Sequence, residues 1–155
     1  MAIIYLTLEQ AIETHGKTVD VSGGGARGHL EIEKLDSVLE HIQNDLYYPT
    51  FNAKLTHLFH SACKFHCFED GNKRIAISLC AQMLLLNGYL RSIESFIRES
   101  ENISYHVAAG AIDKELLGEW ILAILQGEED EESLKLSIYN AISQYESSLS
   151  NEDPV

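Results

Sequence analysis

Apolar residues recur along most of this chain at steps of three and four, the period that lines up one face of an α-helix. Thr7-Leu8-Glu9-Gln10 has the form of a capping box, with Leu8, Ala11, Ile12 and His15 spaced behind it, and predicts a helix over 7–16. Leu35, Val38, Leu39, Ile42 and Leu46 form one stripe; Phe51, Leu55, Leu58, Phe59, Ala62 and Phe65 form another. Both read as helices with a single buried face. From Ile75 to Leu86 apolar side chains point in nearly every direction, the pattern of a helix enclosed by others, and Asn87-Gly88 supplies a left-handed stop. Further helices are predicted near 92–99, 104–110 and 114–126, the last with Leu116, Leu117, Trp120, Ile121 and Ile124 on one side. Strand signal is confined to Ile3–Leu6 and Thr18–Ser22.

Charge separates the C-terminal stretch from the rest. The chain of 155 residues carries a net charge of -13, and residues 128–155 account for about half of it. That stretch opens with Gly127-Glu128-Glu129-Asp130-Glu131-Glu132, acids suited to the first turn of a helix. Leu134, Ile138, Ala141, Ile142, Tyr145 and Leu149 then mark one more amphipathic helix, so a domain over 1–127 and an acidic helical extension over 128–155 are expected. Asn151–Val155 should fray. So acidic a chain disfavours a surface that tracks a phosphate backbone, so nucleic acid is not an expected partner. Ala2–Leu6 is too short for a signal or a membrane span, and three cysteines without a C-x-x-C pair make no disulfide framework. A cytoplasmic protein without a membrane partner is expected.

Several short patterns have dull explanations. Gly23-Gly24-Gly25-Ala26-Arg27-Gly28 satisfies G-x-G-x-x-G, but the alternating strands and helices of a dinucleotide fold do not follow it, so a glycine-rich loop or hairpin is the better reading. His60, Cys63, His66 and Cys67 lack the spacing of paired zinc ligands, and Cys63 with Cys67 sits at a helical step beside core residues. Ser61, His66 and Asp70 hold the letters of a hydrolase triad without a nucleophile elbow around the serine.

His66-Cys67-Phe68-Glu69-Asp70-Gly71-Asn72-Lys73-Arg74 carries more chemistry. It lies between two predicted helices, so the N–H groups of Gly71, Asn72 and Lys73 would stand at the first turn of the second, where unpaired donors and the helix dipole favour an anion. Gly71 lets a phosphate approach without a Cβ in the way. Asp70 is a hard carboxylate of the kind that holds Mg²⁺ beside substrate phosphates. Arg74 offers a fork of donors for phosphate oxygens, and Lys73 a point charge. His66 titrates near neutrality and can take the proton of an attacking hydroxyl. Phe68 would peg the loop into the core.

This string resembles the signature of the Fic/Doc superfamily, His-x-Phe-x-Asp/Glu-Gly/Ala-Asn-Gly/Lys-Arg. Tyr5–Ile12 is similar to the opening of the death-on-curing (Doc) branch, Leu35–Leu39 to its helix after the flap, and Asn87-Gly88-Tyr89 to the end of the helix after the signature. The resemblance runs over about 3–126. It implies an all-α, mainly helical Fic fold with a small β-hairpin flap near 21–30, whose backbone at Gly24, Gly25, Ala26 and Arg27 would align a target segment. It further implies His66 as general base, Asp70 as the Mg²⁺ ligand, and Gly71, Asn72, Lys73 and Arg74 around the phosphates of ATP.

Two departures bear on what is transferred. AMP-transferring members carry Gly where this chain has Lys73, and a second Arg where it has Ile77. Lysine at that position typifies the Doc branch, which moves the γ-phosphoryl of ATP to a hydroxyl of a translation factor. Gly71 is the Fic-type choice where Doc tends to carry Ala. The resemblance therefore implies a toxin with kinase-type chemistry, with AMP transfer and a catalytically silent interaction module as alternatives. It also implies an inhibitory antitoxin as partner. Ser148-Leu149-Ser150-Asn151-Glu152-Asp153 is nearest to the inhibitory pattern within the chain, but Asp153 stands where Gly or Asn is expected, so a separate antitoxin is the better expectation.

Overall fold

A computed structural model describes residues 2–21, 32–64 and 72–151. Among the described residues there are seven helices and no strand: α1 (Leu8–Val21), α2 (Ile32–His41), α3 (Phe51–Lys64), α4 (Asn72–Leu86), α5 (Leu90–Ala109), α6 (Lys114–Gln126) and α7 (Glu132–Asn151). The all-α expectation holds. The hairpin flap and its glycine-rich run fall on residues outside the described ones.

Helix α3 is the hub, packed against α2, α4, α5 and α6, while α1 lies on α4 and α2. Its inner face buries Leu55, Leu58, Phe59 and Ala62, and the enclosed α4 supplies Ile75, Ala76, Leu79, Cys80, Met83 and Leu84. An aromatic trio joins three helices: Phe59 of α3 meets Phe96 of α5 edge-on at 5.9 Å, and Trp120 of α6 lies 5.6 Å from Phe96. Edge and tilted contacts of this kind match the ring quadrupoles as well as removing apolar area from water.

Local signals set several of the helix ends. The capping box forms as expected: Gln10 N–H donates to Thr7 Oγ1 at 3.1 Å and Thr7 N–H to Gln10 Oε1 at 2.9 Å. Thr50 Oγ1 accepts from Ala53 N–H to open α3, and Asp113 Oδ1 accepts from Leu116 N–H to open α6. Gly88 closes α4 at φ 85°, with Tyr89 N–H donating to Leu84 O in a Schellman arrangement.

Four expectations need correcting. The helix read over 7–16 continues to Val21, so Thr18–Val21 is helical rather than strand; β-branched residues lower helix propensity by tenths of a kcal/mol, roughly, less than a started helix needs to stop. Ile3–Leu6 forms no strand among the described residues. Leu46 is 92% exposed, because α2 ends at His41 and Asn44 Oδ1 then folds a turn by accepting from Leu46 N–H. The segments read as separate helices at 92–99 and 104–110 are one helix, α5, with Phe96, Ser100, Ile103 and Val107 along a single buried face.

Helix α7 follows the acidic run and packs on α6, its Leu134 and Ile138 lying against the core. Leu136, Tyr139 and Leu149 face outward. Among the described residues no helix is long and apolar enough to cross a membrane.

Candidate functional site

Helices α3 and α4 flank the signature on either side. The last turn of α3 carries Cys63, buried, and Lys64, exposed; the first turns of α4 carry Lys73, exposed, and Arg74, half-buried. His66, Asp70 and Gly71 lie outside the described residues, as does the Asn72 side chain, and the same holds for the flap residues Gly24, Gly25, Ala26 and Arg27. The structure therefore positions two of the expected site side chains.

Those two line one cleft. Lys73, Arg74 and Ile77 form one wall from α4, and Arg98, Glu101, Asn102, Ser104 and Tyr105 form the other from α5, around a volume of about 460 Å³. That size is in the range of small-molecule sites. Among the described residues three cations meet one carboxylate there, in a chain where acids outnumber bases by more than two to one. Among the described residues neither Lys73 nor Arg98 is in an ion pair, so their charges remain available to an anion. The cleft opens beside the N-terminal turns of α4, where the helix dipole adds to the same sign.

A second cleft, about 300 Å³, lies between α6 and α7 and has the opposite character. Glu119, Glu128 and Glu131 line it, with no base among the described residues. The first cleft thus has the charge that suits an anion, and the second the charge that repels one.

Sequence reasoning missed the α5 wall. The signal was present, since Arg98, Glu101, Asn102 and Tyr105 recur at helical steps opposite the buried face of α5. What the linear pattern lacks is the packing of α5 against α4 that turns this polar stripe into a wall.

Of the patterns set aside above, His60, Ser61 and Cys63 fall among the described residues, whereas His66, Cys67, Asp70 and the glycine-rich run do not. Burial pushes the Cys63 thiol up to about 12, against the pull of Lys73 and Lys64, and pushes Cys80 well above its ordinary value. A protonated, buried thiol is a small core residue rather than a metal ligand. No group of three His, Cys, Asp or Glu side chains among the described residues is placed to hold a metal ion. Ser61 is buried in the core face of α3, so it is not displayed as a nucleophile.

His57 and His60 share the outer face of α3. The His57 ring stacks on Tyr48 at 4.6 Å, and Lys114 Nζ lies 2.8 Å from its Nδ1. Burial first, then the charges of Lys114, His41 and His60, lowers His57 to about 4. The neutral ring thus accepts a hydrogen bond from the ammonium at Nδ1. Burial also lowers His60 and Lys114.

No curated protein and no solved structure matches this chain. A family model does: that of the Fic/DOC family matches residues 5–84, just over half of the chain, from the segment before α1 to the last turns of α4. Members of this family use nucleotide substrates, which accords with a cationic cleft at the start of α4. With the helical fold, the cleft and the family match in agreement, the chain belongs to the Fic/DOC family.

Proposed function

We propose that this protein is a Doc-like transferase that moves the γ-phosphoryl group of ATP to a Ser or Thr hydroxyl of a target protein, a translation factor being the favoured target. The observation that carries the reading is the cleft where Lys73 and Arg74, the cations of the signature, face the same space. Such a lining fits a polyphosphate, and Ile77 leaves α4 without a second arginine.

Each residue then has a chemical task. The imidazole of His66 accepts the proton of the target hydroxyl as its oxygen attacks the γ-phosphorus, and the bond to the β-phosphate oxygen breaks to release ADP. Backbone N–H groups of Gly71, Asn72 and Lys73 bind the phosphate oxygens, and the Arg74 guanidinium holds them in a fixed orientation. Asp70 would hold Mg²⁺, which when bound neutralises phosphate charge; one carboxylate is enough, because this ion takes most of its ligands from phosphates and water. Positioning and charge supply most of the barrier reduction in such transfers.

Kinase-type transfer is favoured over AMP transfer by Lys73 and Ile77, whereas Gly71 favours AMP transfer. A toxin restrained by a separate antitoxin completes the reading. Incubation with cell extract and either γ-labelled or α-labelled ATP tests it. Label on protein from the γ-form alone supports phosphorylation; label from the α-form alone replaces it with AMP transfer; no label from either, with growth arrest unchanged by His66→Ala, replaces it with a silent interaction module.

A further inference from the structure

We infer that Arg98 of α5 is a nucleotide-binding residue, the third cation on the phosphate chain, which it meets from the wall opposite Lys73 and Arg74. The inference rests on the nucleotide-using reading above, but the side chain concerned lies beyond the stretch that the family model matches, which ends at residue 84. It is therefore a property of this chain's own α5.

Three observations carry it. Arg98 lines the same cleft as Lys73 and Arg74, with Ile77 on the α4 wall. Its guanidinium is exposed and joins no ion pair among the described residues; its one hydrogen bond is a long one, from Nη2 to Ser95 Oγ at 3.4 Å. A cation so loosely held is free to turn its fork of donors to phosphate oxygens. Finally, these three are among only eleven Lys and Arg in a chain of net charge -13. General repulsion of an anionic nucleotide makes each local cation count for more in deciding where it binds.

The chemistry is that of two converging walls. Arg74 and Lys73 approach the phosphates from the first turns of α4, and Arg98 approaches from the middle of α5. An arginine on α5 couples nucleotide binding to the α4–α5 contact. Glu101, one turn further along α5, is the only acid on the cleft among the described residues and keeps the α5 wall from being uniformly positive.

Titration of the full chain with a fluorescent ATP analogue, in the presence of Mg²⁺, tests the assignment. Arg98→Gln should weaken binding about tenfold, the loss of one charge-assisted contact, and Arg98→Lys should fall between, since it keeps the charge without the fork. Arg91→Gln removes the same charge from the same helix, about 10 Å away and off the cleft, and should change affinity by less than about twofold. If the wild-type chain binds the analogue but Arg98→Gln binds as well as Arg91→Gln, Arg98 is not a nucleotide ligand and the nucleotide-using reading stands. If the wild-type chain binds no analogue, that reading falls and this inference with it.

Discussion

The side-chain amide of Asn87 pairs with both backbone groups of Ile4: Ile4 N–H donates to Asn87 Oδ1 at 2.8 Å, and Asn87 Nδ2 donates to Ile4 O at 2.9 Å. The same Nδ2 also donates to Met83 O at 2.8 Å. One side chain just past the end of α4 therefore does for the N-terminal segment what a neighbouring strand would do, and holds Leu6 in the core.

Asn87→Ala removes this pairing, and the expected cost is about 1–2 kcal/mol, since each net hydrogen bond is worth about 1 kcal/mol and the pair is partly in water. Urea unfolding measures it as a lower midpoint with the slope kept. An unchanged midpoint would mean the N-terminal segment is held by apolar burial alone.

Lys54 is buried in the core with its ammonium donating to Ile42 O at 2.7 Å and Asp45 Oδ1 at 2.8 Å. Burial pulls this amine down, but the hydrogen bonds and charges of Asp45 and Tyr5 outweigh it, and the net displacement is upward. A raised lysine contributes stability that is fully present below its unfolded value and lost as pH rises through the folded one. Asp45→Asn should cost about 1 kcal/mol near neutrality, small because the carboxylate is largely exposed, and that difference should shrink in strongly alkaline solution. Thermal melts of both chains across alkaline pH check this.

His57 gives a pH dependence at the other end of the scale. Its value of about 4 lies below the unfolded one, so the folded state loses stability as pH falls from about 6.5 and the loss levels off below about 4. Lys114→Met removes one of the depressing charges while burial, the larger cause, stays. In an NMR titration the His57 resonance should therefore move upward in midpoint but stay below an unperturbed histidine. A midpoint that does not move contradicts the contact between Lys114 and His57.

Cys63 and Cys80 should resist alkylation in the native protein at mildly alkaline pH, because both are buried and their thiols stay protonated. Mass spectrometry after iodoacetamide, with and without denaturant, reads this directly. Labelling of either residue at the unfolded rate under native conditions contradicts the packing of α3 on α4.

Lys73 is exposed and in no ion pair among the described residues, so Lys73→Gln should leave the unfolding midpoint within about 0.5 kcal/mol while lowering phosphoryl transfer by about tenfold or more. Equal transfer rates would remove Lys73 from the phosphate site.

Legibility in the sequence followed how local each signal was. The ends of α6 could be read because Asp113 caps one and Gly127, at φ 73°, closes the other. The start of α1 could be read from Thr7 and Gln10, which bond each other across one turn. Its end could not, because Gly16 and the β-branched run after it resemble a stop while the helix continues to Val21. The polar stretch Arg98–Asn102 likewise hid the continuity of α5, where the Ser100 and Ser104 hydroxyls donate back to Ile97 O and Glu101 O within the helix. For the site, the signature named Lys73 and Arg74 outright. Arg98 and Tyr105 could join them only through the packing of α5 on α4, a relation between distant segments that no short pattern encodes.

The most direct measurement is the mass of the modified target peptide after incubation with unlabelled Mg-ATP, comparing the wild-type chain with His66→Ala. A phosphate-sized increment on a Ser or Thr with the wild-type chain, and none with the variant, is the predicted result. An AMP-sized increment, or equal modification by the His66→Ala chain, contradicts it.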